Sequence, residues 1–407
     1  MKILYITPPL YGFRECLFEG ATEINGLPSF NRPLKKLIEE GHEVHFVILY
    51  NTETIEKFNI KAHWLSESQI KECIHYDTRL KYRLSNVNMI RRKVGKLIKS
   101  ERYDFVYGHG SASGIVRKIA LKENIPFGQR LYGTFLWDNF QKDGYFKSIF
   151  KHIIEYLAFK TRKSFLLVTN DGSRGDLVYR KITKNKSPYE FLYWINGVNR
   201  VGDISEDELE NYRKNLVSKP FIFYVARFDK WKQQERVVRI LKVLKERNID
   251  IHLYLAGPPE KGDPSYFNYI MKCIDEWNLK ENVTYMGNVD AKTINIMCKL
   301  ALASLSLYDV CNLTNVFHEM LAAGAVVVVK DDGVVNEFIN HGVNGFLVDT
   351  EEDVISLIKE LLNNDEMVAK VRENAINTSS TKMKTWEERI DQEIELIKKY
   401  ASNNLKG

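Results

Sequence analysis

The run Asn312-Leu313-Thr314-Asn315-Val316-Phe317-His318-Glu319-Met320-Leu321-Ala322-Ala323-Gly324, continued by Ala325-Val326-Val327-Val328-Val329, is the most informative stretch of the chain. It reads as a polar loop, a short apolar helix stopped by glycine, and an uninterrupted β-branched run. A strand that is apolar on both faces is buried on both faces, as in a parallel sheet covered by helices. The same order of events recurs on both sides of it. Upstream, strands are predicted at 221–226, 251–256, 282–286 and 301–307, with helices at 235–246, 266–277, 291–299 and 315–323, and a further helix follows at 352–362. A polar, charged stretch at 199–220 separates this series from an earlier one. That earlier series has strands at 2–7, 43–49, 104–107, 126–132 and 165–169, and helices at 29–40, 88–100 and 113–123. Its helix at 88–100 carries Met89, Ile90, Val94, Leu97 and Ile98 on one face. Alternating strands and helices imply α/β architecture with parallel sheets.

Two successive series give an α/β chain of two Rossmann-like, doubly wound domains facing across a cleft. The expected division is 1–198, 199–380 and a charged C-terminal helix, 381–407, packing back toward the first domain. In open parallel sheets ligands sit beyond the carboxyl ends of the strands, so the chemistry is sought there.

Bulk properties exclude several classes. The chain has 407 residues, 44% of them apolar and 28% charged, with a net charge of +6. The mild positive excess suits a small polyanionic ligand or an anionic surface. No domain-wide basic stripe or recognised module points to nucleic acid. The five cysteines, Cys16, Cys73, Cys273, Cys298 and Cys311, form no C-x-x-C pair, which favours a reduced, cytoplasmic setting. Met1 leads directly into a strand-like run without the pattern of a signal peptide, and no apolar run approaches the ~20 residues of a membrane span.

Several residues carry candidate chemistry. Arg227 and Lys232 follow the strand at 221–226, where two cations can clamp a diphosphate; the alternative is a solvated loop. The amides at the start of the helix at 315–323 suit phosphate. Glu319, one turn inside, either reaches a pair of sugar hydroxyls or faces solvent. His109, in Tyr107-Gly108-His109-Gly110-Ser111, follows a strand, either at the cleft mouth or as a capped loop histidine. Asn170-Asp171-Gly172-Ser173 is a turn and helix-cap signal. No Asp-x-Asp triplet and no His/Asp/Glu cluster has metal spacing, so no metal is expected. The basic stretch from Arg79 to Lys99 includes Arg79-Leu80-Lys81-Tyr82-Arg83. A second, 147–163, is interleaved with Phe150, Ile153, Ile154, Leu157 and Phe159. Both are read as core-packed helices with a wet basic face, contact with anionic lipid being the alternative.

On these residues the chain resembles the family 4 glycosyltransferases of GT-B fold. There an Arg and a Lys five positions on hold the donor diphosphate, as Arg227 and Lys232 are spaced. The second half of the family's E-x₇-E element matches Glu319-Met320-Leu321-Ala322-Ala323-Gly324-Ala325-Val326-Val327. Gly41-His42-Glu43-Val44, Trp194 to Asn199, Leu255-Ala256-Gly257, Val283 to Val289 and Gly342 to Val348 match further motifs. The resemblance implies that Glu319 binds the donor ribose and that amides of Leu313, Thr314 and Asn315 bind phosphate. It also implies that the backbone of Gly287, Asn288 and Val289 contacts the base. The family's first Glu falls on Cys311, with Asp309 two residues earlier. Its first-domain His falls on Tyr132, and its Gly-Gly loop on Pro8-Pro9-Leu10-Tyr11-Gly12.

The implied activity is metal-independent transfer of a sugar, with retention, from a UDP- or GDP-sugar to a hydroxyl acceptor. Arg227, Lys232, Tyr132 and His109 are the candidate catalytic group. The nucleotide sugar is a co-substrate and no other cofactor is expected. The acceptor is a carbohydrate or lipid-linked molecule, and the setting is cytoplasmic, with peripheral contact with the inner membrane face as an option. The alternatives are a nucleotide-sugar-binding protein without transfer and another GT-B enzyme such as a sugar-nucleotide epimerase.

Overall fold

The structure, a computed structural model, describes residues 1–24, 26–50, 57–77, 83–186, 188–200, 204–260 and 262–403. It divides into two units, Met1–Asn196 with Glu387–Gly407, and Gly197–Trp386. In the first unit the chain runs through β1 (Lys2–Thr7), α1 (Pro28–Glu39), β2 (Glu43–Tyr50), β3 (Ile70–His75), α2 (Arg83–Ser100), β4 (Phe105–His109) and α3 (Arg117–Lys122). It continues through β5 (Phe127–Leu131), α4 (Leu136–Lys142), α5 (Tyr145–Lys151), α6 (Ile153–Lys160), β6 (Phe165–Thr169), α7 (Gly175–Thr183) and β7 (Glu190–Trp194). The second unit holds α8 (Glu206–Arg213), β8 (Phe221–Val225), α9 (Gln234–Glu246), β9 (His252–Ala256), α10 (Ser265–Glu276), β10 (Val283–Tyr285) and α11 (Ala291–Leu300). It ends with β11 (Ala303–Ser306), α12 (Asn315–Ala322), β12 (Val327–Lys330), β13 (Phe346–Val348), α13 (Glu351–Leu361) and α14 (Asp365–Lys382). The last helix, α15 (Trp386–Asn403), belongs to the first unit from Glu387 on.

The strands pair in the orders β3-β2-β1-β4-β5-β6-β7 and β10-β9-β8-β11-β12-β13, and the pairings are parallel. Each unit is thus the doubly wound α/β layer read from the sequence. The strand order reverses between β1 and β4 in one sheet and between β8 and β11 in the other. These are the switch points at which open parallel sheets leave a crevice. Burial follows the pattern: β4, β5, β6, β8 and β9 are buried along their whole length. On one face of the first sheet Leu4, Ile6, Val47, Val106 and Phe127 pack with Ile90, Val94 and Ile98 of α2. Gly324 ends α12 at φ +71°, a left-handed conformation that glycine adopts at no steric cost. Its amide bonds Leu321 O at 3.1 Å and that of Ala325 bonds Met320 O at 3.0 Å, turning the chain into β12.

Several local readings are corrected. The polar stretch at 199–220 is not only a link, for it holds α8, capped by Ser205, whose hydroxyl accepts from Glu208 N at 3.2 Å. Leu209 of α8 packs with Ile204 and Ile296. Residues 113–123 do not form one helix: a 3-10 turn at Ala112–Val116 precedes α3. The basic segment at 147–163 breaks at His152 (φ −116°, ψ 39°), and only part of it is core. Phe159 is fully buried whereas Phe150 is 71% exposed. Of the other basic stretch, Arg79, Leu80, Lys81 and Tyr82 lie outside the described residues.

α15 closes the first unit through a buried polar cluster. Glu393 accepts from the Tyr107 hydroxyl at 2.7 Å and from the guanidinium of Arg130. Arg389, one turn earlier, stacks on Trp194 with its guanidinium carbon 4.1 Å from the ring centroid. Its Nη1 lies 3.5 Å from Glu393, and burial lowers its pKa to about 10. Two guanidinium groups thus share one buried carboxylate. Removing it leaves them uncompensated, which typically costs about 3–5 kcal/mol. Glu393→Ala is accordingly expected to lower the urea midpoint of the first unit sharply. Glu352→Ala, which breaks only the exposed pair with Arg247 at 2.6 Å, is expected to cost under about 1 kcal/mol. Equal midpoints for the two variants would contradict this account of α15.

Candidate functional site

The carboxyl ends of β8, β9 and β10 are knitted together before any side chain is considered. Ala226 N bonds Ala256 O at 3.0 Å, Gly257 N bonds Gly287 O at 2.7 Å, and Phe228 N bonds Pro258 O at 2.9 Å. Gly257 (φ +124°) lies so close that a Cβ would stand 2.1 Å from Ala226 O. The buried Gln234 side chain also holds this edge, donating to Arg227 O at 2.9 Å.

From this edge the loop after β8 projects Arg227 and Lys232, and Asp229 organises both. One carboxylate oxygen accepts from Arg227 Nη2 at 2.9 Å and Nε at 3.2 Å. The other caps the turn at 230–232, accepting from Lys232 N at 3.2 Å. The Arg227 side chain is 56% exposed. A guanidinium has five donors, so the pair with Asp229 fixes the fork and still leaves N–H groups for an anion. Lys232 is held differently: its Nζ lies 3.6 Å from the centroid of Trp231 and 4.0 Å from that of Tyr308. Two aromatic faces stabilise the ammonium electrostatically. Because Tyr308 follows β11, this contact joins the loops on the two sides of the switch point.

The loop after β11 is held by Asn312, which is fully buried. Its amide donates to Tyr308 O at 2.9 Å and Lys330 O at 3.3 Å. Its oxygen accepts from Ser306 Oγ at 3.0 Å, and its backbone N–H bonds Asp332 at 2.8 Å. Cys311 beside it has φ +60°, an uncommon conformation for a residue with a side chain. Asp309 is paired with Arg236 at 2.8 Å. Thr314 caps α12, its hydroxyl accepting from Phe317 N at 3.2 Å. The Thr314 amide itself bonds Asn312 O at 2.8 Å. Thr314 therefore shapes the helix start, and its N–H is committed within the loop. Leu313 is buried and Asn315 opens the helix, whose first amides have no partner within the helix. Glu319, half-buried one turn on, accepts from Asn199 Nδ2 at 3.3 Å. Gly287, Asn288 and Val289 lie just past β10, at the end of the same sheet edge.

The first unit presents a different arrangement. His109 is not at a surface: it is 2% exposed and stacked on Tyr5 at 4.8 Å. Burial and the nearby Arg130 hold its pKa well below the usual range, so it is neutral. Its Nδ1 lies 2.7 Å from the Tyr132 hydroxyl, so it communicates outward through Tyr132. Burial also raises the Tyr132 phenol well above its ordinary value. The segment 170–173 is a turn, in which Asp171 accepts from Ser173 N at 3.0 Å and Ser173 Oγ from Thr134 N at 2.9 Å. Among the described residues one cluster, Glu43, His45 and Glu101, has ligand atoms close enough for a metal. Lys2 already pairs with both carboxylates, its Nζ 3.2 Å from Glu43 and 2.8 Å from Glu101.

Sequence reasoning missed Asp229, Trp231, Tyr308, Asn312 and Asn199 as supports of the site. Asn312 and Asn199 sat within quoted motifs, Asp229 lies between Arg227 and Lys232, and all three are good capping or acceptor types. The aromatic box around Lys232 requires two loops that are remote in sequence.

Comparison with known proteins agrees with this geometry. Residues 207–378 match the family described as Glycosyl transferases group 1. A glycosyltransferase of Methanocaldococcus jannaschii, itself uncharacterized, is 24% identical over 324 residues, spanning 77% of this chain and 78% of its own. A trehalose synthase of Pyrococcus horikoshii is 28% identical over 165 residues, only 38% of this chain and 39% of that enzyme. Among solved structures, the sucrose-phosphate synthase of Thermosynechococcus elongatus superposes with a TM-score of 0.70 at 14% identity, covering 99% of this chain and 100% of that one. HepE of Anabaena, solved with UDP, gives 0.67 at 14% identity, covering 97% and 98%. Residues 207–378 of the second unit thus match the group 1 glycosyltransferase family, and the chain has the GT-B fold of the solved structures to which it is similar.

Proposed function

We propose that the chain transfers a sugar from a nucleoside-diphosphate donor to a hydroxyl acceptor, retaining the anomeric configuration in the manner of family 4 and needing no metal. The observation that carries this reading is the pair of cations, Arg227 fixed by Asp229 and Lys232 boxed by Trp231 and Tyr308, at the carboxyl end of β8. The acceptor oxygen attacks the anomeric carbon on the face from which the diphosphate departs. The bond from that carbon to the diphosphate oxygen breaks, and the leaving phosphate takes the acceptor proton. Arg227 and Lys232 stabilise the charge that develops on the phosphates. Cations already held in place lower the barrier without reorganising during the reaction.

In this reading the amides of Leu313 and Asn315 bind phosphate, Glu319 binds the ribose, and Gly287, Asn288 and Val289 contact the base. HepE of Anabaena, solved with UDP and with UDP-glucose, makes a UDP-sugar the first donor to test. Tyr132, backed by neutral His109, is the polar contact offered by the first unit. The acceptor is a carbohydrate or a lipid-linked hydroxyl, reached in the cytoplasm or by peripheral contact with an anionic membrane. Cys311, in place of the family's first Glu, supports a second reading, a nucleotide-sugar-binding protein without transfer; release of free nucleoside diphosphate separates the two.

Arg227→Ala and Lys232→Ala are each expected to lower kcat about 10²–10³-fold while circular dichroism shows an intact fold. Normal turnover by either folded variant would refute the clamp. Transfer is expected to continue in excess EDTA; loss of activity restored by Mg²⁺ or Mn²⁺ would contradict metal independence. For Glu319, the ribose contact exists in ground and transition states alike. Glu319→Gln should therefore raise the apparent donor KM more than it lowers kcat. Affinity for the bare nucleoside diphosphate, measured by calorimetry, should fall in parallel. Unchanged nucleoside-diphosphate affinity would remove Glu319 from the ribose.

A further inference from the structure

The three most exposed large apolar side chains among the described residues are phenylalanines of one segment. Phe146 is 85% exposed, Phe135 77% and Phe150 71%. Scattered apolar residues on a surface need no explanation, but a cluster does. Phe146 and Phe150 stand one turn apart on α5. Past the break at His152, Ile153 and Ile154, both half-buried, and the exposed Leu157 lie on α6. Phe135 joins them at the start of α4: its amide bonds Glu155, in the first turn of α6, at 3.3 Å.

α5 already has an inward face. Tyr145 and Ile149 pack against the cluster of Leu136, Phe140 and Phe159. Between them, Ser148 is fully buried and donates to Asn139 O at 2.8 Å. The phenylalanines are therefore not core residues displaced by a misplaced helix. They lie on the opposite side, beside the exposed Lys147 and Lys151.

The charge of the patch identifies its occupant. Residues 135–163 contain six Lys/Arg against three acids, and Lys142, Lys147, Lys151, Lys160 and Arg162 are exposed. Glu155 is turned inward, accepting from the Thr134 hydroxyl at 2.5 Å. Asp143 lies 3.0 Å from Lys147 and 3.6 Å from Lys151, tethering cations beside the rings without matching their number. Protruding aromatic rings flanked by lysines on short amphipathic helices have the pattern of an interfacial anchor. Among the described residues no helix is long and apolar enough to cross a membrane. We propose that α5 and α6 form a docking surface for an anionic lipid bilayer, with Phe146 and Phe150 entering the interface and the lysines meeting head groups. This deepens, and rests on, the peripheral contact suggested above. Phe135 is three residues past Tyr132, so docking would bring the first unit's polar contact to a lipid-linked acceptor.

The full chain is mixed with vesicles of phosphatidylcholine alone or of equal parts phosphatidylcholine and phosphatidylglycerol, and sedimented. Binding is expected only to the mixed vesicles, weakening as salt screens the lysines. The double variant Phe146→Ser/Phe150→Ser is expected to bind about tenfold or more weakly, with circular dichroism unchanged because neither ring is buried. Lys147→Gln/Lys151→Gln, which keeps both rings, should also weaken binding. No binding to mixed vesicles, equal binding to both kinds, or full binding by the phenylalanine variant would each overturn the proposal. So would a dimer, seen by analytical ultracentrifugation, that the phenylalanine variant splits while vesicles bind neither protein. Release of nucleoside diphosphate from a soluble donor, measured on the same variant, is expected to be unchanged, so failure of docking and failure of transfer are read separately.

Discussion

A parallel strand cannot return to its neighbour through a tight turn; it needs a crossover that runs back over a sheet face. Every strand of a parallel sheet therefore ends at one edge, and each loop leaving that edge is free of the packing that fixes the strand itself. In the second unit this brings the loops after β8, β10 and β11 to one margin, although they lie between residues 226 and 315. Reversal of strand order at β8 and β11 separates the crossovers there and opens a crevice at that edge. Arg227 and Lys232 stand on one side of that crevice and Tyr308 and Asn312 on the other. The aromatic contact of Lys232 with Tyr308, 4.0 Å from Nζ to centroid, is thus a direct consequence of topology.

How much was legible from sequence follows from what each feature depends on. The buried strands were readable because runs such as Val326–Val329 state their burial on both faces in composition alone. β3 was not read, since Ile70-Lys71-Glu72-Cys73-Ile74-His75 is an edge strand with only Ile74 buried and lacks that signal. α8 was hidden because its sequence is almost wholly polar and only Leu209, with a partly buried Tyr212, reaches a core. Arg227, Lys232 and Glu319 could be singled out from their spacing to strand and helix ends. Their supports could not, because Asp229 and Asn312 act through hydrogen bonds that depend on the finished loop conformations.

Phe150 and Phe159 make the same point about exposure. Both are phenylalanines in one basic, apolar segment, and a single helix through 147–163 would place them by period alone. Nine residues apart, they would stand on opposite faces of an unbroken helix, so period alone places one inside and one outside without saying which. Which ring is buried follows from packing: Phe159 joins Leu136 and Phe140 of α4 and Val178 and Ile182 of α7, and Phe150 meets no such neighbours among the described residues. His109 was misjudged in the same way: strand end and glycine neighbours suggested a surface position, while Tyr5, Phe30 and Tyr132 enclose it.

Cys311 presents the remaining tension between local preference and fold. A left-handed residue with a side chain is retained only where its surroundings over-determine the backbone. Here Asn312 supplies that determination, spanning the ends of β11 and β12 through Ser306, Tyr308, Lys330 and Asp332. The loop shape is therefore set in large part by its neighbour. The resemblance to the family and the departure from it at Cys311 are then compatible: Arg227, Lys232 and the start of α12 are positioned by the sheet edge, and Cys311 stands in a loop whose shape Asn312 holds.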